Sequence, residues 1–254
     1  SNPSTESGLD LGDEPRLTDA GDVPVPEGPA ALEAIDEALG RLLDDGQRVL
    51  ALGGDHALAW PAVRAHARRH DGLTVVQLDA HPDLYDEFEG DRLSNACPFA
   101  RVMEEGQVRR LVQVGIRTMN GPQRNQAERF GVEVVEMKDW TPGLTPSCEP
   151  ALGPAALAKD NPHEYVLGRV EGPVYVSLDL DVLDPAFAPG VSHPEPGGLS
   201  TREVIAFLQR LPGPVVGADL VELNPACDPG GGTARVAAKL AKELLARLLS
   251  DPER

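Results

Sequence analysis

Apolar residues follow two patterns that alternate along the chain. Short, nearly continuous apolar runs are typical of buried strands, whereas apolar residues spaced three and four positions apart are typical of amphipathic helices. Ala31, Ile35 and Leu42 lie on one such helical face, and Gly46 follows it as a stop signal. The pattern predicts strands at residues 48–52, 73–78, 110–116, 132–137, 174–180 and 215–223, and helices at residues 30–43, 57–70, 98–105, 123–130, 201–211 and 234–249.

Strands that are apolar on both faces and separated by helices indicate a parallel sheet covered on both sides. We therefore expect an α/β protein with a three-layer α/β/α fold and a mostly parallel central sheet, forming one domain over residues 1–254. Residues 1–27 are polar and rich in Pro, Gly and Asp, so they are predicted to be an irregular lead-in. Ligands of such sheets bind beyond the carboxyl ends of the strands, so polar residues there are the candidates for chemistry.

The charge of the chain narrows the choice of ligand. Twenty-three basic and 41 acidic side chains give a net charge of −18, which repels nucleic acid and anionic membranes and favours a small cationic ligand. No apolar run approaches the roughly 18 residues that span a bilayer, and no signal segment is recognisable near the start. The isolated Cys97, Cys148 and Cys227 indicate free thiols and a cytoplasmic location.

Ionisable side chains gather where two predicted strands end. Asp79, His81 and Asp83 follow one strand at a spacing of two, so an extended backbone projects them to a common side. Asp179 and Asp181 share one face of another strand that is otherwise apolar. A plainer interpretation is that these aspartates mark turns, cap a helix or pair with arginines.

His56 adds a second imidazole to the same predicted sheet edge. It follows Gly53 and Gly54 at a strand end, where glycine lets the backbone bend sharply, although a lone histidine is usually structural. Buried neighbouring carboxylates cost several kcal/mol each unless a cation offsets their charge. Two imidazoles and at least four carboxylates converging at one edge therefore favour a metal site.

Donor chemistry indicates which metal the site would hold. Imidazole and carboxylate ligands without thiolate suit Mn²⁺, with Fe²⁺, Co²⁺, Ni²⁺ or Zn²⁺ left open. Four aspartates carry a charge of −4, which two divalent ions balance. Two ions roughly 3.5–4 Å apart lower the pKa of a shared water towards neutrality, so hydrolysis is the expected chemistry.

Several segments of the chain together carry a family resemblance. The clearest are Gly53-Gly54-Asp55-His56, Asp79-Ala80-His81-Pro82-Asp83, Ser177-Leu178-Asp179-Leu180-Asp181-Val182-Leu183-Asp184-Pro185 and Glu222-Leu223-Asn224-Pro225. In this order they resemble the signatures of the arginase and agmatinase (ureohydrolase) family, most closely the plant-type arginases and the agmatinases. The resemblance covers nearly all of the chain and implies an arginase-like fold and a pair of manganese ions.

The resemblance also implies a role for each site residue. Glu222 would orient the substrate guanidinium, since a bidentate carboxylate suits a planar cation. In the mechanism that we expect, Asp181 would hold or relay the proton of the attacking hydroxide. One manganese would bind His56, Asp79, Asp83 and Asp179, and the other would bind His81, Asp79, Asp179 and Asp181, with Asp79 and Asp179 bridging.

The chain departs from the family pattern at three places. Asn95 stands where many members carry a histidine proposed as a proton shuttle, so we expect a polar substrate contact there. His193 lies near the predicted cleft rim and could contact substrate or act as a substitute acid or base. About one amino-terminal strand and helix of the family are missing, which would leave a sheet edge for a partner subunit to cover. Family members commonly form trimers or hexamers, so a homo-oligomer is implied.

The predicted reaction is hydrolysis of agmatine or L-arginine to urea and putrescine or ornithine. Thr118-Met119-Asn120 lacks the acidic contact of animal-type arginases, which favours agmatine, whereas the plant-type likeness favours arginine. Guanidinobutyrate or formimidoylglutamate hydrolysis and a non-catalytic homologue remain alternatives. His66 and His70 have helical spacing but no third ligand and many arginine neighbours, so a solvated helix end is expected; His163 is predicted to lie in a loop.

Overall fold

A six-stranded sheet forms the centre of the protein in a computed structural model that describes residues 3–140 and 162–250. Every pairing between its strands is parallel, in the order β1-β6-β5-β2-β3-β4. The strands are β1 Val49–Leu52, β2 Thr74–Leu78, β3 Arg110–Ile116, β4 Glu133–Glu136, β5 Val174–Asp179 and β6 Val215–Val221. The predicted parallel α/β sheet is thus confirmed.

Helices cover both faces of this sheet. In the described residues they are α1 Ala30–Asp44, α2 Ala59–Ala67, α3 Pro98–Glu105, α4 Gly121–Phe130, α5 Pro162–Leu167, α6 Thr201–Arg210 and α7 Gly232–Ser250. The predicted helices are confirmed within a few residues at their ends. Residues 3–27 form no helix or strand, as their composition predicted, and Glu6 ties them to the body through a 2.6 Å ion pair with Arg202.

Two apolar cores lie on opposite faces of the sheet and complete the three layers. Val76 and Leu178 face the core that α6 and α7 close with Phe207 and Leu240. The other core packs Val75, Tyr175 and their neighbours against α1, α2 and α3. Because the four central strands β2, β3, β5 and β6 are almost entirely buried, their sequences are largely apolar. They could therefore be recognised in the sequence without an alternating pattern.

Helix α5 was not predicted, and the loop expected around His163 is wrong. Its six residues are too few to show a helical period, but Val166 is fully buried. The His163 ring packs 4.4 Å from the Trp140 ring, centroid to centroid, and 5.9 Å from that of Phe207. These contacts give His163 a packing role in the core.

The solvated helix end expected at His66 is also wrong. His66 is 1 % exposed, its Nδ1 donates to the Ala62 carbonyl at 2.8 Å, and its ring lies edge-on to Tyr175. Burial lowers the pKa of His66 to about 4, so the ring is neutral at physiological pH. The space for the ring comes from Gly217 of β6, where a Cβ would lie 2.0 Å from His66 Nε2.

Replacing Gly217 should therefore destabilise the fold. We expect Gly217→Ala to lower the free energy of unfolding by about 1–3 kcal/mol, because the added methyl forces the buried ring to move. Gly40→Ala in the middle of α1 is the matched control, since a Cβ there meets only Arg69 Nη2, at 3.4 Å. Denaturant titration should show the control unchanged or slightly stabilised; equal stabilities for both variants would contradict the packing described.

Candidate metal centre and active site

The candidate site lies where four neighbouring strands end. β1, β6, β5 and β2 are adjacent in the sheet. The segments that follow β1 and β6 carry His56 and Glu222, and those at the ends of β5 and β2 carry residues 179–181 and 79–83. Parallel strands present their carboxyl ends at one edge, so residues far apart in sequence meet there.

A tight turn after β1 presents His56. A Cβ on Gly53 would lie 1.7 Å from Leu58 Cδ2, so any larger residue here would displace the Leu58 side chain. The chain then enters a short 3-10 helix, His56–Leu58, which Asp55 caps by accepting a hydrogen bond from Ala57 N–H at 3.0 Å. The turn thereby directs a fully buried imidazole into the sheet edge.

His56 is the centre of the first group of ligand-type side chains. Its Nδ1 atom lies 3.0 Å from Asp79 Oδ2, 3.0 Å from Asp83 Oδ2 and 3.3 Å from Asp179 Oδ2. Ligand atoms of His56, Asp79 and Asp83 all lie within 4.8 Å of one another, close enough to share one metal ion. The structure therefore brings together the four residues predicted for one ion.

His81 is the centre of the second group. Its Nδ1 atom lies 2.9 Å from Asp181 Oδ2 and 3.5 Å from Asp79 Oδ1, and these three residues also form a group that could hold an ion. Asp79 presents one oxygen to each imidazole, which is the placement of a bridging ligand. Within the described residues Asp179 lies within 4 Å of His56 but not of His81, so its bridging role stays a prediction.

Backbone N–H groups fix the orientation of three of the carboxylates. Asp181 N–H donates to Asp179 Oδ1 at 2.8 Å, and Ala80 N–H donates to Asp181 Oδ1 at 3.0 Å. His81 N–H donates to Asp79 Oδ1 at 2.6 Å. Because these hydrogen bonds hold one oxygen of each carboxylate, the Oδ2 atoms of Asp179 and Asp181 remain directed at the imidazoles. The protein itself therefore orders these candidate metal ligands.

The chemistry of this donor set fits bound cations. His56 Nδ1 is fully buried and makes no hydrogen bond, although three carboxylate oxygens surround it. Burial and the nearby Asp181 and Asp79 carboxylates raise the pKa of Asp179 well above its usual value. Burial opposes charge on His81, but Asp181 and Asp79 raise its pKa to about 11. Excess buried negative charge gathered around one imidazole nitrogen is what divalent ions would balance.

A buried polar chain supports His56 from behind, and the sequence reasoning did not assign it. His56 Nε2 lies 2.9 Å from Ser177 Oγ, and Ser177 donates to Asp219 Oδ1 at 2.8 Å. Tyr175 O–H donates to the other oxygen of Asp219, also at 2.8 Å. Such a partner on the second ring nitrogen fixes the ring and leaves Nδ1 for a ligand. The signal in the sequence that could have revealed this chain is Asp219, a carboxylate inside the otherwise apolar run of β6.

Two buried glutamines support the ligand residues at the end of β2 in the same way. Gln77 Nε2 donates to Asp79 Oδ2 at 2.7 Å and to the His81 carbonyl at 3.1 Å. Gln113 Nε2 donates to Gln77 Oε1 at 2.6 Å. Each glutamine is a polar residue in an otherwise apolar strand, which is a signal that the sequence reasoning passed over.

Glu222 lies at the end of β6 in a strained backbone conformation. Its φ of 67° is unusual for a residue with a side chain, as is the φ of 48° at Asp83. Glu222 N–H donates to the Gly54 carbonyl at 2.8 Å, and Glu222 Oε1 accepts from His56 N–H at 3.0 Å. Burial raises the pKa of Glu222. Backbone strain of this kind clusters at functional sites.

A cleft of about 280 Å³ opens above the two ligand groups. Asn95 lines it, with its Oδ1 accepting from Ser94 Oγ at 3.2 Å. His193 lines it as an exposed residue whose ring centroid lies 6.2 Å from that of His81. The predicted substrate contacts therefore share one cavity with the ligand groups. The full lining is His81, Asp83, Tyr85, Phe88, Asn95, Ala96, Thr118, Gln123, Asp179, Asp181, His193 and Glu222.

A three-layer α/β fold with two adjacent groups of cation ligands at its strand ends has the architecture of a metal-dependent hydrolase. Comparison with known proteins refines this class. The profile described as Arginase family matches residues 2–246, and the chain belongs to this family.

Three relatives illustrate the similarity. Arginase 1, mitochondrial, of Arabidopsis thaliana is 46 % identical over 97 % of this chain and 71 % of its own length. An agmatinase of Bacillus anthracis is 34 % identical over 92 % of this chain and 76 % of its own length. The solved arginase from Medicago truncatula superposes with a TM-score of 0.82 at 41 % identity, covering 98 % of this chain and 77 % of that one.

Membership makes the protein a metal-dependent hydrolase that acts on linear amidines, and members of the family use a dinuclear metal site. Among the described helices, none combines the length and the apolar character needed to cross a bilayer. Cys97 and Cys227 are free thiols, as predicted, and Cys148 lies outside the described residues.

Proposed function

We propose that the protein hydrolyses the guanidinium group of agmatine or L-arginine, releasing urea and putrescine or ornithine. The observation that carries this proposal is the pair of ligand groups that share Asp79 at the base of a cleft, with Glu222 on the same cleft wall. The relatives named arginase and agmatinase support the reaction class and leave both substrates open.

His56, Asp79, Asp83 and Asp179 would hold one divalent ion, and His81, Asp79, Asp179 and Asp181 the other; Mn²⁺ suits these ligands best. When bound, the two ions supply Lewis acidity and lower the pKa of a water, which makes it nucleophilic at neutral pH. The side chains of the protein bind the substrate, orient it and hold protons.

Glu222 orients the substrate. Its carboxylate is nearly buried at 9 % exposure and carries no ion pair with a basic residue in the described part of the chain. A planar guanidinium can donate two parallel hydrogen bonds to such a carboxylate, which fixes the carbon that water attacks. Asp181 is the proposed temporary holder of the water proton. Asn95 contacts the substrate as a neutral polar group, and His193 is the nearest titratable group at the rim.

The proposal also covers the cellular location and the oligomeric state of the enzyme. We expect a cytoplasmic protein that forms a homo-oligomer, as a trimer or hexamer. The free thiols support a reducing compartment, and the exposed Leu52 at the end of edge strand β1 is a candidate contact between subunits.

Metal removal should lower thermal stability. Stripping divalent ions leaves the buried carboxylates uncompensated, whereas ions that bind only the folded state stabilise it. We expect the melting temperature to fall by about 5 °C or more on chelation and to recover with Mn²⁺. Differential scanning fluorimetry with and without chelator measures this. A melting temperature that changes with neither chelator nor Mn²⁺ would count against a metal centre.

Product analysis tests the reaction directly. The Mn²⁺-loaded protein should release urea from agmatine or L-arginine. Formamide from formimidoylglutamate, with no urea from any guanidino compound, would instead identify a formimidoylglutamate hydrolase. Two bound metal ions without turnover of any of these compounds would identify a non-catalytic homologue.

A further inference from the structure

Arg117 is a basic residue beside the metal centre that the proposed mechanism does not use. It follows β3 directly, and its N–H donates to the Ala80 carbonyl at 2.9 Å, between the ligand residues Asp79 and His81. Its side chain crosses to the end of β5, where Nη2 donates to the Asp181 carbonyl at 2.7 Å. Arg117 therefore contacts both of the segments that carry the four aspartates of the site.

The same guanidinium also contacts a loop at the rim of the cleft. This rim loop, residues 184–198, is closed at its base where Leu199 N–H donates to the Val182 carbonyl at 3.0 Å. Inside the loop, the Glu195 carbonyl accepts from Arg117 Nη2 at 2.6 Å and from Arg117 Nε at 3.0 Å. His193, two positions earlier, lines the cleft. The contact therefore lies next to the part of the loop that faces a substrate.

Two glycines make room for this arrangement. A Cβ on Gly198 would lie 2.6 Å from the Val182 carbonyl oxygen and 2.7 Å from Arg117 Nη2. A Cβ on Gly115 would lie 2.8 Å from the Asp79 carbonyl oxygen. Larger residues at these positions would push the rim loop away from the guanidinium, or the end of β3 away from the end of β2. The guanidinium is thus enclosed between the loop and the strand ends.

The hydrogen bonds of the guanidinium end on main-chain carbonyl groups. Besides those of Asp181 and Glu195, it donates to the Gly115 carbonyl through Nη1 at 3.0 Å. Within residues 3–140 and 162–250 it forms no ion pair with a carboxylate. A planar guanidinium with five donors can hold several carbonyl groups in fixed relative positions, which a lysine ammonium cannot do. The arrangement therefore suits a residue that fixes backbone positions.

On the metal side, the ligand carboxylate has supports of its own. Asp181 N–H donates to Asp179 Oδ1 at 2.8 Å, and Asp181 Oδ1 accepts from Ala80 N–H at 3.0 Å. Neither hydrogen bond involves the Arg117 side chain. We therefore expect Asp181 to keep its position when that side chain is changed.

On the rim side, the loop depends more strongly on Arg117. The loop is held near its two ends, where Asn224 N–H donates to the Gly190 carbonyl at 2.9 Å and Gly197 N–H donates to Asp184 Oδ2 at 2.7 Å. In the described part of the chain, Arg117 supplies the hydrogen bonds to the main chain between Gly190 and Gly197. Loss of these bonds should therefore free the middle of the rim loop.

We propose that Arg117 is a positioning residue that ties the cleft rim to the metal centre and thereby sets the affinity for the substrate. Without its guanidinium, the rim occupies the binding-competent position for only part of the time, and the apparent affinity falls by that fraction. The ligand carboxylates keep their positions, so the chemical step keeps its rate. This inference rests on the proposed function, because it assumes that the substrate binds in the cleft that His193 and Glu222 line.

Arg117→Lys separates the position of the donors from their charge. It keeps the positive charge but offers one nitrogen in place of a planar group with several donors. We expect KM to rise about tenfold and kcat to stay within about twofold of the parent, because binding is lost equally in the ground state and the transition state. Elemental analysis should show that the variant retains two ions per chain.

Arg109→Lys is the matched control. Arg109 precedes β3 at the opposite end of the strand, and its half-exposed side chain pairs with Glu171 at 2.6 Å. The same substitution there leaves the cleft and the rim loop untouched. Its KM and kcat should match those of the parent.

Hydrogen exchange measures the rim loop directly and needs no turnover. In the Mn²⁺-loaded protein, Arg117→Lys should speed exchange of the rim-loop amides by about tenfold or more and leave the amides of β2, β3 and β5 unchanged. Unchanged exchange in the rim loop, or faster exchange spread over these strands, overturns the proposal. A loss of kcat at unchanged KM also overturns it, because Arg117 would then act on the metal ligands.

A second variant loosens the same loop if Arg117→Lys folds poorly. Asp184 accepts from Ala186 N–H at 2.9 Å and from Gly197 N–H at 2.7 Å, and Asp184→Asn leaves one acceptor for these two donors. It should also raise KM and speed exchange in the rim loop, and parent-like values of both would overturn the proposal. Absence of urea from every guanidino compound instead defeats the proposed function, while the exchange result still decides whether Arg117 holds the loop.

Discussion

Asp179→Asn should abolish hydrolysis by removing a metal ligand while leaving the fold intact. Asp179 Oδ2 lies 3.3 Å from His56 Nδ1, and its Oδ1 is held by Asp181 N–H. Loss of residues that merely support a ligand costs about 10–100-fold in activity or metal affinity, so loss of this carboxylate should cost more than about 100-fold. Urea release with Mn²⁺ in excess measures the effect, and elemental analysis should show fewer than two ions per chain.

The stability of the same variant distinguishes lost ligation from misfolding. Burial and the Asp181 and Asp79 carboxylates raise the pKa of Asp179, so its charge is unfavourable in the metal-free protein. The metal-free variant should therefore be at least as stable as the metal-free parent. Asp71→Asn, an exposed change beside the opposite end of β2, is the control and should retain full activity. Full activity in Asp179→Asn would remove the proposed mechanism.

Glu222→Gln should impair the enzyme without removing its metal. Gln can still accept the hydrogen bond from His56 N–H, so the local backbone should keep its conformation. It cannot offer a charged bidentate partner to a guanidinium, and losing one member of a desolvated charge pair costs about 2–5 kcal/mol. We expect kcat/KM to fall by about 100-fold or more, with two ions per chain retained.

The control for this variant is Glu87→Gln, an exposed change on the loop between β2 and α3. It removes the same charge from the same chain without altering the cleft lining. Its kcat/KM should match that of the parent. If Glu222→Gln lost metal together with activity, Glu222 would be supporting the metal centre and not the substrate.

The central strands of the sheet could be predicted from sequence because burial on both faces makes them largely apolar. The run before Asp79 and the run ending at Asp179 were therefore readable as strands, and the rule that parallel strands end at one edge placed His56 beside them. The convergence of these side chains follows from this placement, whereas their division between two ions was implied by the family resemblance. Their spacing within 4.8 Å required coordinates.

The supporting contacts could not be predicted, because they join strands that are distant in sequence. Ser177 reaches His56 across 121 positions and Asp219 across 42, and no local pattern specifies such pairs. The prediction of a solvated helix end at His66 was wrong for the same reason. Its arginine neighbours along the chain indicated solvent, but the space that buries its ring is made by Gly217 on another strand.

The most direct test of the account is the number and position of metal ions in the protein. A crystal grown with Mn²⁺ and measured near the manganese absorption edge should show two anomalous peaks roughly 3.5–4 Å apart. One should lie beside His56 and Asp83, the other beside His81 and Asp181, with Asp79 between them. A single peak, or peaks away from these residues, would contradict the dinuclear centre on which the proposed hydrolysis depends.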